Sequence, residues 1–235
     1  MATFSNKEKL ERLNLSDEIF KIDTTGVEVV VLLLKGVFYC QECKFSRKSV
    51  FDDDAQGFYL SNVGVVELLV KKEAELCIIQ ASSDKTIKMQ TIDQNQITKK
   101  PTGHDNFSRK VETILDGGSQ LSNLIIGETY KPKGNWSSWP PHKHDEYIKH
   151  EQSKQKEVHL YKFLQSDGFG IQIIYEDRDN PQVFFVQENS EVKIESGYHP
   201  VVNSPHTEMY YLWVLFGDNT FFKVGFDSVY EGMKR

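Results

Sequence analysis

The pair His142 and His144, preceded by two prolines and separated by one lysine, is the spacing in this chain most suited to chemistry. Residues two apart on a β-strand point to the same face, so the two imidazoles would lie side by side. Two imidazoles on one face provide half of a transition-metal site. The alternative is that both histidines lie at the surface or serve only as hydrogen-bonding groups.

A second polar strand pattern follows in Glu-Val-His-Leu-Tyr-Lys-Phe, residues 157–163. Alternation places Glu157, His159 and Tyr161 on one face. Glutamate, histidine and tyrosine together are unusual on a packing surface and are typical of the wall of a polar cavity. The pattern therefore predicts a polar cavity beside this strand.

His199 supplies a third imidazole from a glycine-containing turn. With His142, His144 and Glu157 it completes a set of three nitrogen donors and one carboxylate. This donor set suits Zn, Mn, Fe, Ni or Co and leaves positions open for a substrate. Gln172, in a further strand pattern, either offers a neutral polar contact to the substrate or faces solvent.

The elements that must position these residues are short strands. Apolar or alternating segments such as Val27 to Leu34 and Glu208 to Phe216 recur along the chain, separated by turn-type or charged residues. Many short strands without a long amphipathic helix indicate an all-β sandwich or barrel. The similar rhythm of the two halves predicts two β-barrels in tandem.

One short helix is expected over residues 5–13, where Ser5 and Glu8 match a capping box and Leu10 and Leu13 share a face. The predicted organisation is a helix and lead-in over 1–23, a first barrel without a metal site over 24–98, a connector over 99–118, and a second barrel with the metal site over 119–235.

Composition excludes several classes of protein. The 235 residues include 28 basic and 34 acidic side chains, a net charge of −6, which argues against a general binder of nucleic acid or anionic membranes. The longest apolar run has eight residues, strand length. No secretory pattern opens the chain, and three cysteines cannot all pair, so a cytoplasmic location is expected.

The stretch Gly-Asn-Trp-Ser-Ser-Trp-Pro-Pro-His-Lys-His-Asp, residues 134–145, resembles the signature of the 5-deoxy-glucuronate isomerases of inositol breakdown. These enzymes are related to the 4-deoxy-L-threo-5-hexosulose-uronate ketol-isomerases of pectin breakdown. Both families belong to the cupin superfamily and fold as tandem β-barrels. The resemblance continues through residues 157–163, 168–175 and 196–200, and more weakly around Arg47 and Arg109.

The resemblance implies an all-β bicupin in which His142, His144, Glu157 and His199 bind one divalent metal ion, Zn, Mn, Fe or Ni. The implied reaction is aldose–ketose isomerisation of a small deoxy sugar acid. Its most direct form converts 5-deoxy-glucuronate to 5-dehydro-2-deoxy-gluconate in inositol catabolism. Pairing of exposed edge strands between subunits would give a homo-oligomer.

Other roles stay open at this point. The general base could be Glu157, His159, Tyr161 or Tyr210. The substrate carboxylate needs a cation, for which Arg47 and Arg109 are the candidates, because alternation turns Lys143 away from its two histidine neighbours.

Two departures from the family pattern concern the substrate pocket. His159 stands where the family has tyrosine, and Trp213 stands where it has asparagine. The rival functions are a metal cupin dioxygenase, which would consume oxygen, and a non-catalytic barrel that binds a sugar acid.

Overall fold

The computed structural model describes residues 4–92, 94–116, 123–217 and 221–233. They form two compact units that meet in sequence between Ile97 and Thr98. Regular structure is almost entirely β, which confirms the all-β prediction, and the helices of these ranges are short 3-10 turns. None of the helices described is long and apolar enough to cross a membrane.

The first unit is an antiparallel sheet of order β1-β5-β2-β4-β6, with β3 paired to β2. Its strands are β1 (Lys9–Asp23), β2 (Val27–Cys40), β3 (Cys43–Arg47), β4 (Gln56–Ser61), β5 (Val65–Ser82) and β6 (Ile87–Thr91). Val29, Val31 and Leu33 of β2 belong to its core. The intervening Val30 and Leu32 are also fully buried, so β2 is a continuous apolar run rather than an alternating one.

The predicted N-terminal helix is wrong. The Ser5 N–H does donate to the Glu8 carboxylate at 2.8 Å, as in a capping box, but this contact closes a turn that leads into β1. Strand β1 pairs with β5 along its whole length. Leu10 and Leu13 fit a helical period, but pairing with β5 provides the backbone with hydrogen bonds and buries Leu10, so the tertiary contact overrides local preference.

The second unit contains a seven-stranded sheet of order β12-β13-β18-β9-β8-β7, with β16 paired to β13, and a four-stranded sheet of order β10-β17-β14-β15. Its strands are β7 (Thr98–Thr102), β8 (Arg109–Leu115), β9 (Leu124–Lys131), β10 (Trp136–Ser137), β11 (His142–Lys143), β12 (Asp145–Ile148), β13 (Gln152–Phe163), β14 (Phe169–Ile174), β15 (Gln182–Gln187), β16 (Glu191–Ile194), β17 (Val201–Asn203), β18 (Met209–Gly217) and β19 (Gly225–Phe226). Strands β11 and β19 pair with each other.

The segment predicted as a connector is largely strand. Its described part carries β8 and most of β7, and β8 pairs with β9 of the large sheet. The predicted boundary between residues 118 and 119 lies outside the described residues. Strand β7 is an edge strand, and most of its side chains are exposed. Its sequence is therefore polar and lacks the apolar pattern that predicts a strand.

The core of the second unit lies between its two sheets, because Tyr161, Tyr211 and Trp213 of the large sheet cluster with Val186 and Val201 of the small one. The side chains of the large sheet that face this core form rows across β13, β18 and β9. The rows are His159, Trp213 and Gly127; then Tyr161, Tyr211 and Thr129; then Phe163, Met209 and Lys131.

We expect Gly127→Ala to destabilise the protein, because a Cβ there would lie 2.1 Å from the Trp213 ring and 2.4 Å from the Glu112 carbonyl oxygen. Overpacking of this kind costs about 1–3 kcal/mol. Urea unfolding measures the effect. Gly232→Ala is the control, since no atom lies within 4 Å of its added Cβ. Equal stability of the two variants would contradict the prediction.

Candidate metal centre

The carboxylate of Glu157 lies at the centre of a buried histidine cluster. Its Oε2 is 3.0 Å from His144 Nε2 and 3.2 Å from His199 Nε2. Its Oε1 is 2.9 Å from His159 Nε2. One ligand atom from each of His144, Glu157 and His199 lies within 4.8 Å of the others.

His142 completes the group that the sequence predicted. It lies on β11, two residues before His144, and its ring centroid is 4.9 Å from that of His199 and 6.4 Å from that of His144. Glu157 comes from β13 and His199 from the turn before β17. The fold thus brings the four predicted ligands, from three separate segments, to one place.

Backbone carbonyls orient all three imidazoles. The Nδ1–H of His142 donates to Pro140 O at 3.2 Å, that of His144 to Gln155 O at 3.1 Å, and that of His199 to Gly197 O at 3.0 Å. A carbonyl oxygen can only accept, so in a neutral ring Nδ1 carries the proton and Nε2 carries the lone pair. This is the arrangement by which proteins orient histidine ligands of metal ions.

The histidine Nε2 atoms and the Glu157 carboxylate oxygen that face one another need a positive charge between them. Lone pairs on His144 Nε2 and His199 Nε2 would face a carboxylate oxygen, which is unfavourable unless protons or a cation intervene. Among the described groups, the buried His199 Nε2 has no hydrogen-bond partner. Three imidazoles and one carboxylate are a donor set for borderline divalent cations. The residues therefore fit the metal ion that the sequence implied.

The electrostatics of the cluster favour the ligand forms of most members. Burial and the neighbouring His199 and His144 hold the pKa of His142 well below its usual value, and burial lowers that of His199. Burial opposes ionisation of Glu157, but His159 and the other imidazoles hold its pKa well below its usual range. For His144 burial is outweighed by Glu157, which raises the pKa of the ring.

A polar chain leads away from the cluster through His159. Its Nδ1 is 3.0 Å from the Tyr161 hydroxyl and 3.2 Å from Gln172 Oε1. The Tyr161 hydroxyl donates to Gln172 Oε1. Burial, with Tyr211 and Glu157 nearby, raises the pKa of Tyr161 well above its usual value, so its phenol stays neutral. His159 thus connects the carboxylate of the cluster to a neutral phenol.

The role predicted for Gln172 needs correction. Its Nε2 donates to the carbonyls of His199 at 2.7 Å, Pro200 at 3.1 Å and Ile173 at 3.1 Å, and its Oε1 accepts from Tyr161. Protein groups occupy both ends of the amide, which therefore has no free group for a substrate. Gln172 instead fixes the backbone of His199 and the hydroxyl of Tyr161.

We expect Gln172→Leu to lower turnover about tenfold or more while the protein retains its metal. Leucine would leave the Tyr161 hydroxyl and the His199 carbonyl unsatisfied, at about 1–3 kcal/mol for each buried group. Steady-state kinetics, metal analysis and thermal unfolding measure these effects. Unchanged kinetics would show that the orientation of these groups does not matter for the reaction.

Tyr210, predicted as a catalytic candidate, lies on the wrong face of β18. Its hydroxyl donates to Glu128 Oε1 at 2.8 Å, on the face opposite the core. Its neighbour Tyr211 faces the core instead, with its ring centroid 4.7 Å from that of His159 and its hydroxyl 2.5 Å from Ser137 Oγ. Sequence analysis missed Tyr211 because two adjacent tyrosines do not reveal the parity of their strand.

Arg47, a predicted substrate-binding residue, is 1% exposed and serves the first unit. Its guanidinium donates to Leu33 O at 3.2 Å and to Asp53 O at 3.1 Å, which anchors the turn after β3. These contacts correct the prediction to a structural role. Arg109 faces the core of the second unit and donates to Phe107 O at 2.9 Å and Trp139 O at 3.3 Å.

The sequence model of the KduI/IolB family matches residues 8–233. A 5-deoxy-glucuronate isomerase of Geobacillus thermodenitrificans is 30% identical over 203 residues, which cover 83% of this chain and 74% of that protein. A 5-deoxy-glucuronate isomerase of Bacillus subtilis is 30% identical over 189 residues, 79% of this chain and 70% of that protein.

Two solved structures show the fold. The crystal structure of an IolB-like protein from Salmonella typhimurium has a TM-score of 0.89 at 23% identity and covers 96% of this chain and 89% of its own. A mutant of the Bacillus subtilis oxalate decarboxylase has a TM-score of 0.58 at 10% identity, with 93% of this chain and 71% of its own covered. The predicted cupin fold is thereby confirmed.

Proposed function

The chain belongs to the KduI/IolB family, and from this premise we propose that it is a metal-dependent aldose–ketose isomerase of a deoxy sugar acid. The substrate we propose is 5-deoxy-glucuronate, and the product is 5-dehydro-2-deoxy-gluconate. The observation that carries the proposal is the convergence of the carbonyl-anchored His144 and His199 on Glu157, with the carbonyl-anchored ring of His142 4.9 Å from that of His199. Inositol breakdown is the setting that the sequence resemblance supports, and the cytoplasmic location and homo-oligomer stay predictions.

The reaction moves one proton from the hydroxyl-bearing C2 of the sugar to the aldehyde carbon C1, through an enediolate, and a second proton from the C2 hydroxyl oxygen to the C1 oxygen. His142, His144, Glu157 and His199 would hold the divalent cation. Such a cation supplies Lewis-acid stabilisation for the negative charge that develops on the two substrate oxygens. The protein must add a group that carries the proton between the two carbons.

We assign that proton transfer to His159. Its Nε2 lies 2.9 Å from Glu157 Oε1 and its Nδ1 lies 3.0 Å from the Tyr161 hydroxyl, so His159 exchanges a proton with the substrate when a substrate group replaces the Tyr161 contact. Tyr161 is a poor base because its phenol stays neutral, and Glu157 is needed by the cation. The Tyr161 O–H is donated to Gln172 Oε1, so Tyr161 instead orients the His159 ring.

The two residues that depart from the family pattern, His159 and Trp213, are neighbours in the large sheet. His159 and Trp213 lie opposite each other on β13 and β18, and Gly127 of β9 lies next in the same row. Because Gly127 has no side chain, the Trp213 ring can occupy the space where a Cβ would lie. The changes at His159 and Trp213 therefore alter one region of the pocket, which supports a change in the shape of the substrate site rather than loss of the metal centre.

The test is isomerisation of 5-deoxy-glucuronate in D2O, followed by proton NMR. Protein treated with a chelator and reloaded separately with Zn, Mn, Fe or Ni should show turnover with at least one metal, at about one ion per chain. Deuterium should enter the product at the former aldehyde carbon, which is C1 of the substrate and C6 of the product. If no metal restores turnover, the isomerase proposal fails, and oxygen consumption with substrate would support a dioxygenase instead.

A further inference from the structure

Two cationic side chains lie next to each other inside the second unit. The pairing of Lys110 with Tyr130 places Arg109 of β8 beside Lys131 of β9, on the face that packs against the core. Lys131 is 1% exposed, and its ammonium donates to Val201 O at 3.0 Å. The hydrogen bonds of Arg109 also go to backbone carbonyls. Neither cation has a carboxylate as a partner in these contacts.

Lysines elsewhere on the same sheet do have acidic partners. Lys110 pairs with Glu112 at 2.9 Å, and Lys162 pairs with Glu188 at 3.1 Å. Within the described ranges no carboxylate lies within ion-pair distance of Arg109 or Lys131. Burial lowers the pKa of Lys131, and the charge of Arg109 lowers it further. Two such groups repel each other in a low-dielectric interior, so the pair is costly unless an anion binds there.

Both cations reach the two segments that carry the histidine ligands. Arg109 donates to the carbonyl of Trp139, and the next carbonyl, that of Pro140, accepts from His142. Lys131 donates to the carbonyl of Val201, two residues after His199. The cationic pair therefore lies a short distance along each segment from the metal centre.

Two polar side chains, Tyr211 and Ser137, lie among the core residues near the two sites. The Tyr211 ring lies between His159, 4.7 Å away by ring centroids, and the region of Arg109, whose charge partly offsets the effect of burial on the pKa of Tyr211. Ser137 lies 2.5 Å from the Tyr211 hydroxyl. A ligand with an anionic group at one end and oxygens at the other would match the cations at one site and the proposed metal centre at the other.

We propose that Arg109 and Lys131 together bind the carboxylate of the substrate, with the sugar extending past Tyr211 to the metal centre. In the open-chain form of a sugar acid, the carboxylate and the aldehyde are at opposite ends, as the two sites are. The pair would select acids over neutral sugars, because a neutral sugar leaves the half-buried Arg109 and the buried Lys131 without a counter-charge. This inference rests on the proposed function for the identity of the ligand.

Binding of D-glucuronate and D-glucose by the metal-loaded full chain tests the pair, since the two sugars differ in a carboxylate against a hydroxymethyl group. Equilibrium dialysis of labelled sugars should show at least about tenfold tighter binding of D-glucuronate. Lys131→Met and Arg109→Gln should each remove most of this preference. No preference in the unmodified protein, or a preference that persists in both variants, would overturn the proposal.

Kinetics separate this inference from the isomerase itself. We expect Lys131→Met to raise the KM for 5-deoxy-glucuronate about 10- to 100-fold, with unchanged metal content. A KM unchanged in an active enzyme would refute the carboxylate site alone. Absence of turnover in the unmodified protein, with a preference for D-glucuronate that depends on Lys131, would refute the isomerase alone.

Thermal unfolding distinguishes binding from a structural role. Methionine matches lysine in length and removes a buried ammonium that has a carbonyl partner but no acidic partner among the described residues, so Lys131→Met should leave the melting temperature unchanged or raise it. The control is Lys162→Met, which removes the ion-pair partner of Glu188 and should lower the melting temperature without changing KM. A large loss of stability in Lys131→Met alone would show that Lys131 mainly supports Val201.

Discussion

Replacement of Glu157 by alanine is expected to abolish metal binding and isomerase activity together. The carboxylate is the group that His144, His159 and His199 all face, at 2.9 to 3.2 Å. Without it the cluster keeps nitrogen donors but loses its only negative charge among the proposed ligands, and the charge of a divalent cation would be poorly compensated. We expect activity to fall at least about a thousandfold.

Elemental mass spectrometry of the purified variant, beside the NMR assay, measures both effects. Glu208→Ala is the matched control, since Glu208 is an exposed glutamate of the same unit and should keep both metal and activity. His142→Ala should resemble Glu157→Ala if His142 is the fourth ligand. Activity that survives loss of the metal in either variant would falsify the metal-dependent mechanism.

Replacement of His159 by glutamine is expected to lower kcat about 10²- to 10⁴-fold while the metal is retained. Glutamine preserves hydrogen-bonding capacity toward Glu157 and Tyr161 but cannot act as a general acid or base. Because His159 contacts the carboxylate rather than completing the set of proposed ligands, metal content should change little. Entry of deuterium at the former aldehyde carbon should slow in parallel with turnover.

His206→Gln is the control for this substitution, since His206 is 59% exposed and contacts the exposed Asp167. It should behave like the unmodified protein in turnover and metal content. If His159→Gln also keeps its turnover, the proton is carried by another group. Tyr161→Phe would then be the decisive variant.

Local sequence was sufficient to predict the all-β class and to select residues that the fold brings together around Glu157. The side-chain period of a strand is set by backbone geometry alone, so Glu157, His159 and Tyr161 could be assigned to one face without knowledge of their neighbours. Their contacts in the structure agree with that assignment. The histidines at 142 and 144 were grouped for the same reason.

Local sequence predicted the wrong structure where one pattern fitted two structures equally well. Residues 5–13 carry a capping-box pattern that also fits a turn into a strand, and pairing with β5 decided between them. Tyr210 and Tyr211 are adjacent, and only the register of β18 against β13 shows that Tyr211 faces His159. In both cases the deciding hydrogen bonds join segments far apart in the chain.

The sequence by itself thus determined the chemistry available to this protein: a donor set for a divalent cation and a strand face rich in proton-transfer groups. The tertiary structure decided which charged groups are compensated. Arg47 looked like a substrate-binding residue but is held by backbone carbonyls, whereas Lys131 gave no local signal. Burial and the absence of a counter-ion depend on contacts between distant segments, so no pattern of neighbouring residues can show them.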